Sequence, residues 1–444
     1  MKQFRRKRVE HKTEFLENAY EAQAYVYQTL KENQDGIYSD AVEGVNNLYS
    51  GNAGILHMYI QFQLVEPSAQ QDRIIKGMTR YLNLHLFDDI RRSAQEGERV
   101  AGMSEAFYSG IGGIGLVFNE VYRIHRDPLA KEGAGKVIQY YKNHVKKNEY
   151  GSLWLDNSAI FFDGGIILFL IDCWQTYEEE RQELEELITD SCDYILNHGI
   201  WHDDGGLEID HMHIDFKHKE PNFEFGTAGA GYLFAKVYEL TGNLKYLDAA
   251  KAATFYLKSI AVKQQKGYLI PYKLGQYDDL FYLGNCHGPV GTAKLFYELY
   301  KITKEKKYLD EVFQLCEGAM SLGAPFVQSA GFWNTTCVCC GPAGYVPLYA
   351  GLYYETGEER WKNLSHGVGE VLIGTKKEKE IEKKKIGYWK IAFDRTKPDV
   401  LTTPVGYYTG TAGIAVSLLQ VYCMETEEGH TERLIDDPYR KSTF

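Results

Sequence analysis

The chain has 444 residues, a formal net charge of −12 at pH 7 and 44% hydrophobic residues, enough apolar side chain to bury a large core. This composition excludes wholesale disorder, and the acidic balance argues against nucleic acid as a partner, because a phosphate backbone is bound by clustered cations. The apolar run 164–171 is too short to span a bilayer, and residues 1–28 are too polar for a secretory signal, so we expect a cytoplasmic protein without a membrane segment.

In chain order, residues 1–40 are predicted to be a polar, helical extension, residues 41–426 a repeat domain, and residues 427–444 a polar tail. Within the repeat domain a Gly-x-x-Gly phrase recurs, each time followed by a helical apolar pattern. The copies begin at Gly51, Gly110, Gly226, Gly288, Gly341 and Gly410, and a degenerate copy is Phe162–Gly165. Glycine at a helix start lets another backbone or a ligand approach closely.

A second pattern follows several copies, at residues 238–248, 300–310 and 354–361, where Thr-Gly or Thr-Lys stands between two helical stretches. Each repeat is therefore predicted to be a helical hairpin. About seven hairpins favour an all-α fold, an α/α toroid with inner and outer helix rings. An open solenoid with purely structural glycines is the alternative.

Two irregular segments interrupt the repeats. Residues 376–385 form a charge run, which we expect to be a solvated loop or helix face. Residues 201–222 are rich in Gly, His and Asp, are too long for a simple turn, and are expected to form a lid or cleft wall.

Cysteines stand in register with the repeat in two copies, where Cys286 and the pair Cys339 and Cys340 precede the first glycine. In a toroid these positions lie side by side, so the thiols would converge. Thiolate-rich convergence selects Zn²⁺, and three protein ligands with one open position is the catalytic pattern. We assign Cys286, Cys339 and Cys340 as ligands, with Cys337 and His287 in reserve. The alternatives are unligated thiols or a redox pair of Cys337 and Cys340.

The segments 285–291 (Asn-Cys-His-Gly-Pro-Val-Gly) and 339–344 (Cys-Cys-Gly-Pro-Ala-Gly) are similar to the Trp-Cys-(Tyr/His)-Gly-x-Pro-Gly and Cys-His-Gly-x-x-Gly phrases of the lanthionine synthetase C-like family. With the glycine repeats, the chain resembles these lantibiotic cyclases over roughly residues 40–425. The resemblance implies seven inner and seven outer helices, one zinc ion, and addition of a peptide cysteine thiol to dehydroalanine or dehydrobutyrine to give a thioether ring. It also implies a dehydrated, Cys-containing precursor peptide as substrate and a separate dehydratase as partner. The family's usual third ligand is His, and here that position is Cys340.

The acid/base residues of the family are altered in this chain. Its active-site His falls on Phe225, and its Arg, four residues before the first zinc cysteine, falls on Tyr282. Its active-site Asp corresponds to Asp156, with Asp163 in reserve. The candidates for a replacement acid are His287, Asp156 and a histidine of the 201–222 segment. That segment holds His202, His211, His213 and His218, of which we assign His213.

Two other functions compete with the cyclase. One is a non-catalytic zinc protein of this family that binds thiols or modified peptides. The other is an (α/α)₆-type glycoside hydrolase, whose paired carboxylates would come from residues 201–204 and 277–279. In the hydrolase hypothesis, the cysteines that stand in register with the repeat have no role.

Overall fold

The computed structural model describes residues 2–97, 102–210, 219–275, 279–327, 335–392, 394 and 397–439, with side chains from residue 14 onward. His213 and its neighbours at 211–218 lie outside the described residues. The chain divides into two compact units. The first comprises the described residues of Met1–His85, Pro325–Arg433 and Tyr439–Phe444, and the second those of Leu86–Ala324 and Leu434–Pro438.

The described residues are mostly helical. The α-helices are α1 (Lys2–Tyr27), α2 (Asn52–Val65), α3 (Ala69–Leu84), α4 (Asp88–Glu96), α5 (Ile111–His125), α6 (Pro128–His144), α7 (Asp163–Thr176), α8 (Arg181–Asn197), α9 (Thr227–Thr241), α10 (Leu244–Ser259), α11 (Pro289–Thr303), α12 (Lys306–Ser321), α13 (Tyr345–Thr356), α14 (Glu359–Thr375) and α15 (Thr411–Thr426). The strands are β1 (Leu30–Asn33), β2 (Gly36–Ser39), β3 (Lys146–Asn148), β4 (Gly151–Leu153), β5 (Ile200–Trp201), β6 (Leu207–Glu208), β7 (Val262–Lys263), β8 (Tyr268–Leu269), β9 (Lys377–Ile381) and β10 (Lys384–Tyr388). None of the described helices is long and apolar enough to cross a membrane.

Helical hairpins form the second unit, as the repeat predicts. Helices α5, α7, α9 and α11 pack in that order, and each also packs against the helix that follows it, from α6 to α12. The inner helices are buried on all sides; in α7 every residue from Asp163 to Cys173 is buried. The predicted turn is confirmed at Gly242, which ends α9 in the left-handed region (φ 67°).

The first unit repeats this arrangement with a partner that is distant in sequence. Helices α2 and α13 both pack against α15; α3 covers α2, α14 covers α13, and α1 packs against α15. Helix α1 buries one stripe of residues, Phe15, Ala19, Ala22 and Val26, each no more than 2% exposed. The N-terminal segment, predicted to be a polar helical extension, is thus a helix that supplies the outer partner of α15.

The first glycine of each phrase precedes the helix, and the reason is steric. A β-carbon at Gly226 would lie 1.7 Å from the Glu220 carbonyl oxygen. One at Gly291, the second glycine of its phrase, would lie 1.9 Å from the Asn285 carbonyl oxygen. The loop before each inner helix therefore folds back against the helix start, which fixes the residues just before the glycine.

Short antiparallel hairpins, which no sequence pattern indicated, follow several outer helices. The charge run at 376–385 was expected to be a loop or helix face, but it forms most of the β9–β10 hairpin. Its two-residue turn, Glu382 and Lys383, has positive φ angles (50° and 64°). Strand β9 is exposed throughout, so the charge run is solvated as expected. Its conformation differs from the expectation, because it is a β-hairpin and not a loop or a helix face.

The C-terminal segment 434–438 belongs to the second unit. Asp436, 1% exposed, accepts hydrogen bonds from Tyr108 Oη (2.7 Å) and Lys294 Nζ (3.2 Å). The Ile435 carbonyl oxygen accepts one from Tyr232 Oη (2.7 Å). Part of the tail that was expected to be a polar extension is therefore buried and hydrogen-bonded to side chains of α9, of α11 and of the loop before α5.

Candidate metal centre

Residues just before the inner-helix starts of neighbouring repeats are connected by backbone hydrogen bonds. In the second unit, Phe161 N donates to Glu224 O and Glu224 N donates to Cys286 O, both at 3.0 Å. In the first unit, Cys339 N donates to Tyr408 O, and Tyr408 N donates to Tyr49 O, again at 3.0 Å. These bonds hold equivalent residues of adjacent hairpins next to one another, as the repeat register requires.

The second unit contains a thiol, an imidazole and a carboxylate that lie close together. One ligand atom from each of Cys286, His287 and Glu224 lies within 4.8 Å of the other two. Cys286 and Glu224 are 3% and 2% exposed, so both are shielded from water. A thiol, a ring nitrogen and a carboxylate oxygen at this separation are suited to holding a divalent ion such as Zn²⁺.

His287 is held by aromatic rings and one carboxylate. Its ring stacks on Phe225, with centroids 5.1 Å apart and planes 4° from parallel, and Tyr272 and Tyr282 also contact it. The carboxylate of Glu220 lies 3.4 Å from His287 Nδ1, and Lys273 Nζ pairs with the same carboxylate at 2.7 Å. Phe225 and Tyr282, onto which the resemblance maps the family's His and Arg, thus form part of the wall around this histidine.

The first unit contains two thiols and a phenol that lie close together. Cys340 Sγ and Cys339 Sγ lie 3.1 Å apart, and Tyr49 Oη donates a hydrogen bond to Cys339 Sγ at 2.9 Å. The Tyr49 ring stacks on Tyr408, with centroids 5.3 Å apart. Cys337 Sγ instead accepts from Thr335 Oγ1 at 3.4 Å. All eight cysteines are described and none is in a disulfide, so this structure does not contain a Cys337–Cys340 disulfide.

The two aspartates named from the sequence have different surroundings. Asp156 has a positive φ (59°), and its carboxylate accepts a hydrogen bond from Tyr194 Oη at 2.8 Å. Asp163 is fully buried, and burial raises its pKa to about 7, although backbone N–H donors at residues 154, 155 and 157 lower it. Asp163 therefore anchors the turn before α7.

The carboxylates of the hydrolase hypothesis belong partly to an exposed hairpin. Trp201 is 55% exposed, and both Asp203 and Asp204 are exposed in the turn between β5 and β6. In the same hairpin His202 pairs with Glu208 at 2.9 Å. Tyr277 and Asp278 lie outside the described residues.

Sequence reasoning missed two residues of these groups, Glu224 and Tyr49. Each stands two positions before the first glycine of its repeat, the position that Cys286 and Cys339 occupy in theirs. The register therefore marks both positions in the sequence, but the contacts of their side chains with the thiols are seen only in the structure.

The family model described as lanthionine synthetase C-like protein matches residues 43–431. Among solved structures, nisin cyclase superposes with a TM-score of 0.57 at 13% identity, over 97% of this chain and 100% of that one. Cellobiose 2-epimerase from Bacillus thermoamylovorans superposes with a TM-score of 0.49 at 12% identity, over 95% and 99%. The Lin0763 protein of Listeria innocua has a TM-score of 0.48 at 15% identity, over 94% and 99%. No curated protein matches the sequence significantly.

The likeness to nisin cyclase is at low identity and shows the fold, so the predicted class, an all-α α/α toroid, is confirmed. The family model covers most of the chain, including every copy of the glycine phrase. The chain belongs to the lanthionine synthetase C-like family.

Proposed function

We propose that this protein is a zinc-dependent cyclase that adds a peptide cysteine thiol to dehydroalanine or dehydrobutyrine, forming thioether rings in a ribosomally made peptide. The observation that carries the proposal is the position of the thiols. Cys286 and Cys339 stand two residues before the first glycine of their repeats, and Cys340 stands one residue before it. Family membership supports the same chemistry.

In this proposal Cys286, Cys339 and Cys340 hold one zinc ion. The donor groups fit the ion, because each unit offers buried thiol sulfur near a second donor. Bound there, zinc would stabilise the substrate cysteine as a thiolate, which is the nucleophilic form. Cys340 replaces the family's usual His, so the site carries one more negative charge than a Cys₂His site. We expect the bound thiolate to be more nucleophilic and the pKa of the incoming thiol to be lowered less.

His287 is the proposed proton donor. The substrate sulfur forms a bond to the β-carbon of the dehydro residue, the C=C electron pair moves toward the α-carbon, and that carbon then takes a proton. His287 can supply this proton, and the proton released by the thiol restores it. Glu220, 3.4 Å from Nδ1, and the parallel ring of Phe225 orient the imidazole. Asp156 and His213 remain further candidates for this role.

The substrate in this proposal is a dehydrated, Cys-containing precursor peptide. A dehydratase must act first, because the electrophile arises from Ser or Thr by loss of water. The need for a dehydrated precursor peptide connects the proposed reaction to lantibiotic-type biosynthesis.

Metal analysis combined with thiol counting tests the proposal. We expect about one zinc per chain, lost in a Cys339→Ala, Cys340→Ala double variant and retained in Cys192→Ala, a buried core cysteine on α8. On incubation with a dehydrated Cys-containing peptide, the wild type should consume thiols and the double variant should not. A folded, metal-free wild type would refute the zinc assignment.

A non-catalytic binder is the second candidate, favoured by the substitutions at Phe225 and Tyr282. It predicts that zinc and peptide both bind while the thiol count stays constant. Phe225→His then restores an imidazole where the family has one, and a gain of thiol consumption in that variant would show that only the acid was missing.

A further inference from the structure

A cavity of about 580 Å³ lies in the first unit. It is lined by residues of α1, α2 and α3 and of the hairpins β1–β2 and β9–β10. Its volume falls in the range of ligand-binding sites, roughly 300–1,000 Å³. None of the described residues that line it is a cysteine or a histidine, so it is distinct from the candidate metal centre.

Three helices each bring a buried polar atom to this cavity that has no hydrogen-bond partner among the described residues. The atoms are Gln23 Nε2 on α1, Tyr59 Oη on α2 and Gln71 Oε1 on α3, and all three side chains line the cavity. Tyr59 and Gln71 are only 1% and 5% exposed. A buried polar group without a partner destabilises a fold, so three of them around one cavity indicate that a ligand supplies the partners.

The chemistry of these groups favours an uncharged ligand. They supply an amide donor, an amide acceptor and a phenol, which can both donate and accept. Burial raises the pKa of Tyr59, so its hydroxyl stays protonated and uncharged. The cations at the cavity have anionic partners, since Arg73 pairs with Glu32 and Lys31 pairs with Asp40 at 3.3 Å. An anion such as phosphate is therefore not favoured.

A peptide backbone is an uncharged chain that presents one N–H donor and one C=O acceptor at each residue. The hairpins that border the cavity are each a two-stranded sheet in the described part of the chain, so every strand has an edge without a ladder partner. An extended peptide can pair with such an edge. Leu30 and Ile386 line the cavity together with the amides, which suits the two alternating faces of an extended chain.

We propose that this cavity binds a short, uncharged peptide segment in extended conformation, through hydrogen bonds with Gln23, Tyr59 and Gln71. Its occupant is a stretch of the peptide substrate away from the reacting cysteine, and this choice of occupant rests on the proposed function. A second point of attachment raises the effective concentration of the reacting residues, because their binding becomes an intramolecular event.

The test uses the full-length protein and a heptapeptide of alternating Ser and Val with fluorescein at its N-terminus and an amidated C-terminus. Fluorescence anisotropy measures its affinity, and thermal unfolding of the peptide-free protein is followed in parallel. In Tyr59→Phe and in Gln71→Met we expect the affinity to fall about 3- to 10-fold, because each variant loses one hydrogen bond. The unfolding temperature of Tyr59→Phe should not fall, since the hydroxyl has no partner in the free protein.

Tyr232→Phe is the matched control. Tyr232 is a buried tyrosine of the second unit, 1% exposed, and its hydroxyl donates to the Ile435 carbonyl oxygen at 2.7 Å. This variant should unfold at a lower temperature and bind the heptapeptide as the wild type does. A heptapeptide with N-methylated backbone nitrogens should bind about 10-fold more weakly than the parent or worse, because it lacks the N–H donors.

Four results would overturn the inference: no binding of the heptapeptide to the wild type, equal binding of the N-methylated peptide, unchanged affinity in both cavity variants, or displacement of the heptapeptide by cellobiose. The last result would assign the cavity to a neutral carbohydrate. The heptapeptide has neither a thiol nor a dehydro residue, so these outcomes leave the zinc proposal standing. That proposal is refuted separately, by metal analysis.

Discussion

Replacing Tyr49 with Phe removes one hydrogen bond and leaves the ring in place. Tyr49 Oη donates to Cys339 Sγ at 2.9 Å, and its ring stacks on Tyr408. A hydrogen bond to a charged acceptor contributes about 1.5–3 kcal/mol. If Cys339 is a metal-bound thiolate, Tyr49→Phe should lower zinc affinity about 10–100-fold, because each ~1.4 kcal/mol is tenfold.

The assay is chelator competition at fixed pH and ionic strength, with thermal unfolding of the metal-free protein measured in parallel. Tyr408→Phe is the matched control, because Tyr408 belongs to the same aromatic stack and meets Cys339 through its backbone oxygen. It should leave zinc affinity within about twofold of the wild type.

A Tyr49→Phe protein that binds zinc as tightly as the wild type would refute this reasoning. It would mean that the sulfur of Cys339 carries no charge that the phenol stabilises. Equal losses of metal affinity in the Tyr49 and Tyr408 variants would point to the stack rather than the hydrogen bond.

Three further predictions concern folding and the loops that carry the site. Phe15→Ala should destabilise the protein by about 3–5 kcal/mol in urea unfolding because Phe15 is 2% exposed, whereas Leu244→Ala, 62% exposed in the wild type, should change little. In Gly291→Ala the new β-carbon would lie 1.9 Å from the Asn285 carbonyl oxygen, so the loop that holds Cys286 must move and chelator competition should show weaker zinc binding. In the control Gly135→Ala the new β-carbon meets nothing within 4 Å, so zinc binding should be normal. Burial raises the pKa of Asp163 from 3.8 to about 7, so the folded protein binds more protons than the unfolded chain between these values. Unfolding free energy should therefore fall by up to about 4 kcal/mol as pH rises through this window, and Asp163→Asn should flatten that dependence in urea titrations at several pH values.

The helical hairpins could be predicted from the sequence because their determinants are local. A glycine such as Gly226 is required where the preceding loop touches the helix start, and Gly242 is favoured where the helix ends in the left-handed region. Both requirements act within a few residues, so they leave a pattern that repeats along the chain. The same pattern identified Cys286 and Cys339 as equivalent positions.

Local patterns failed where the partner is remote or the element is short. The pairing of α1 with α15 brings together segments at opposite ends of the chain, and only tertiary packing shows which stripe of α1 is buried. The hairpin strands have two to five residues, too few for an alternating pattern to stand out.

What the amino-acid sequence determined on its own is the repeat, its hairpins and the register of the thiols, because backbone sterics at glycine and helix periodicity are properties of neighbouring residues. Only the tertiary structure decided which side chains at these equivalent positions lie next to one another. Glu224 beside Cys286 and Tyr49 beside Cys339 are brought together by hydrogen bonds between loops some 60 and 290 residues apart in the chain, and no local rule specifies such contacts.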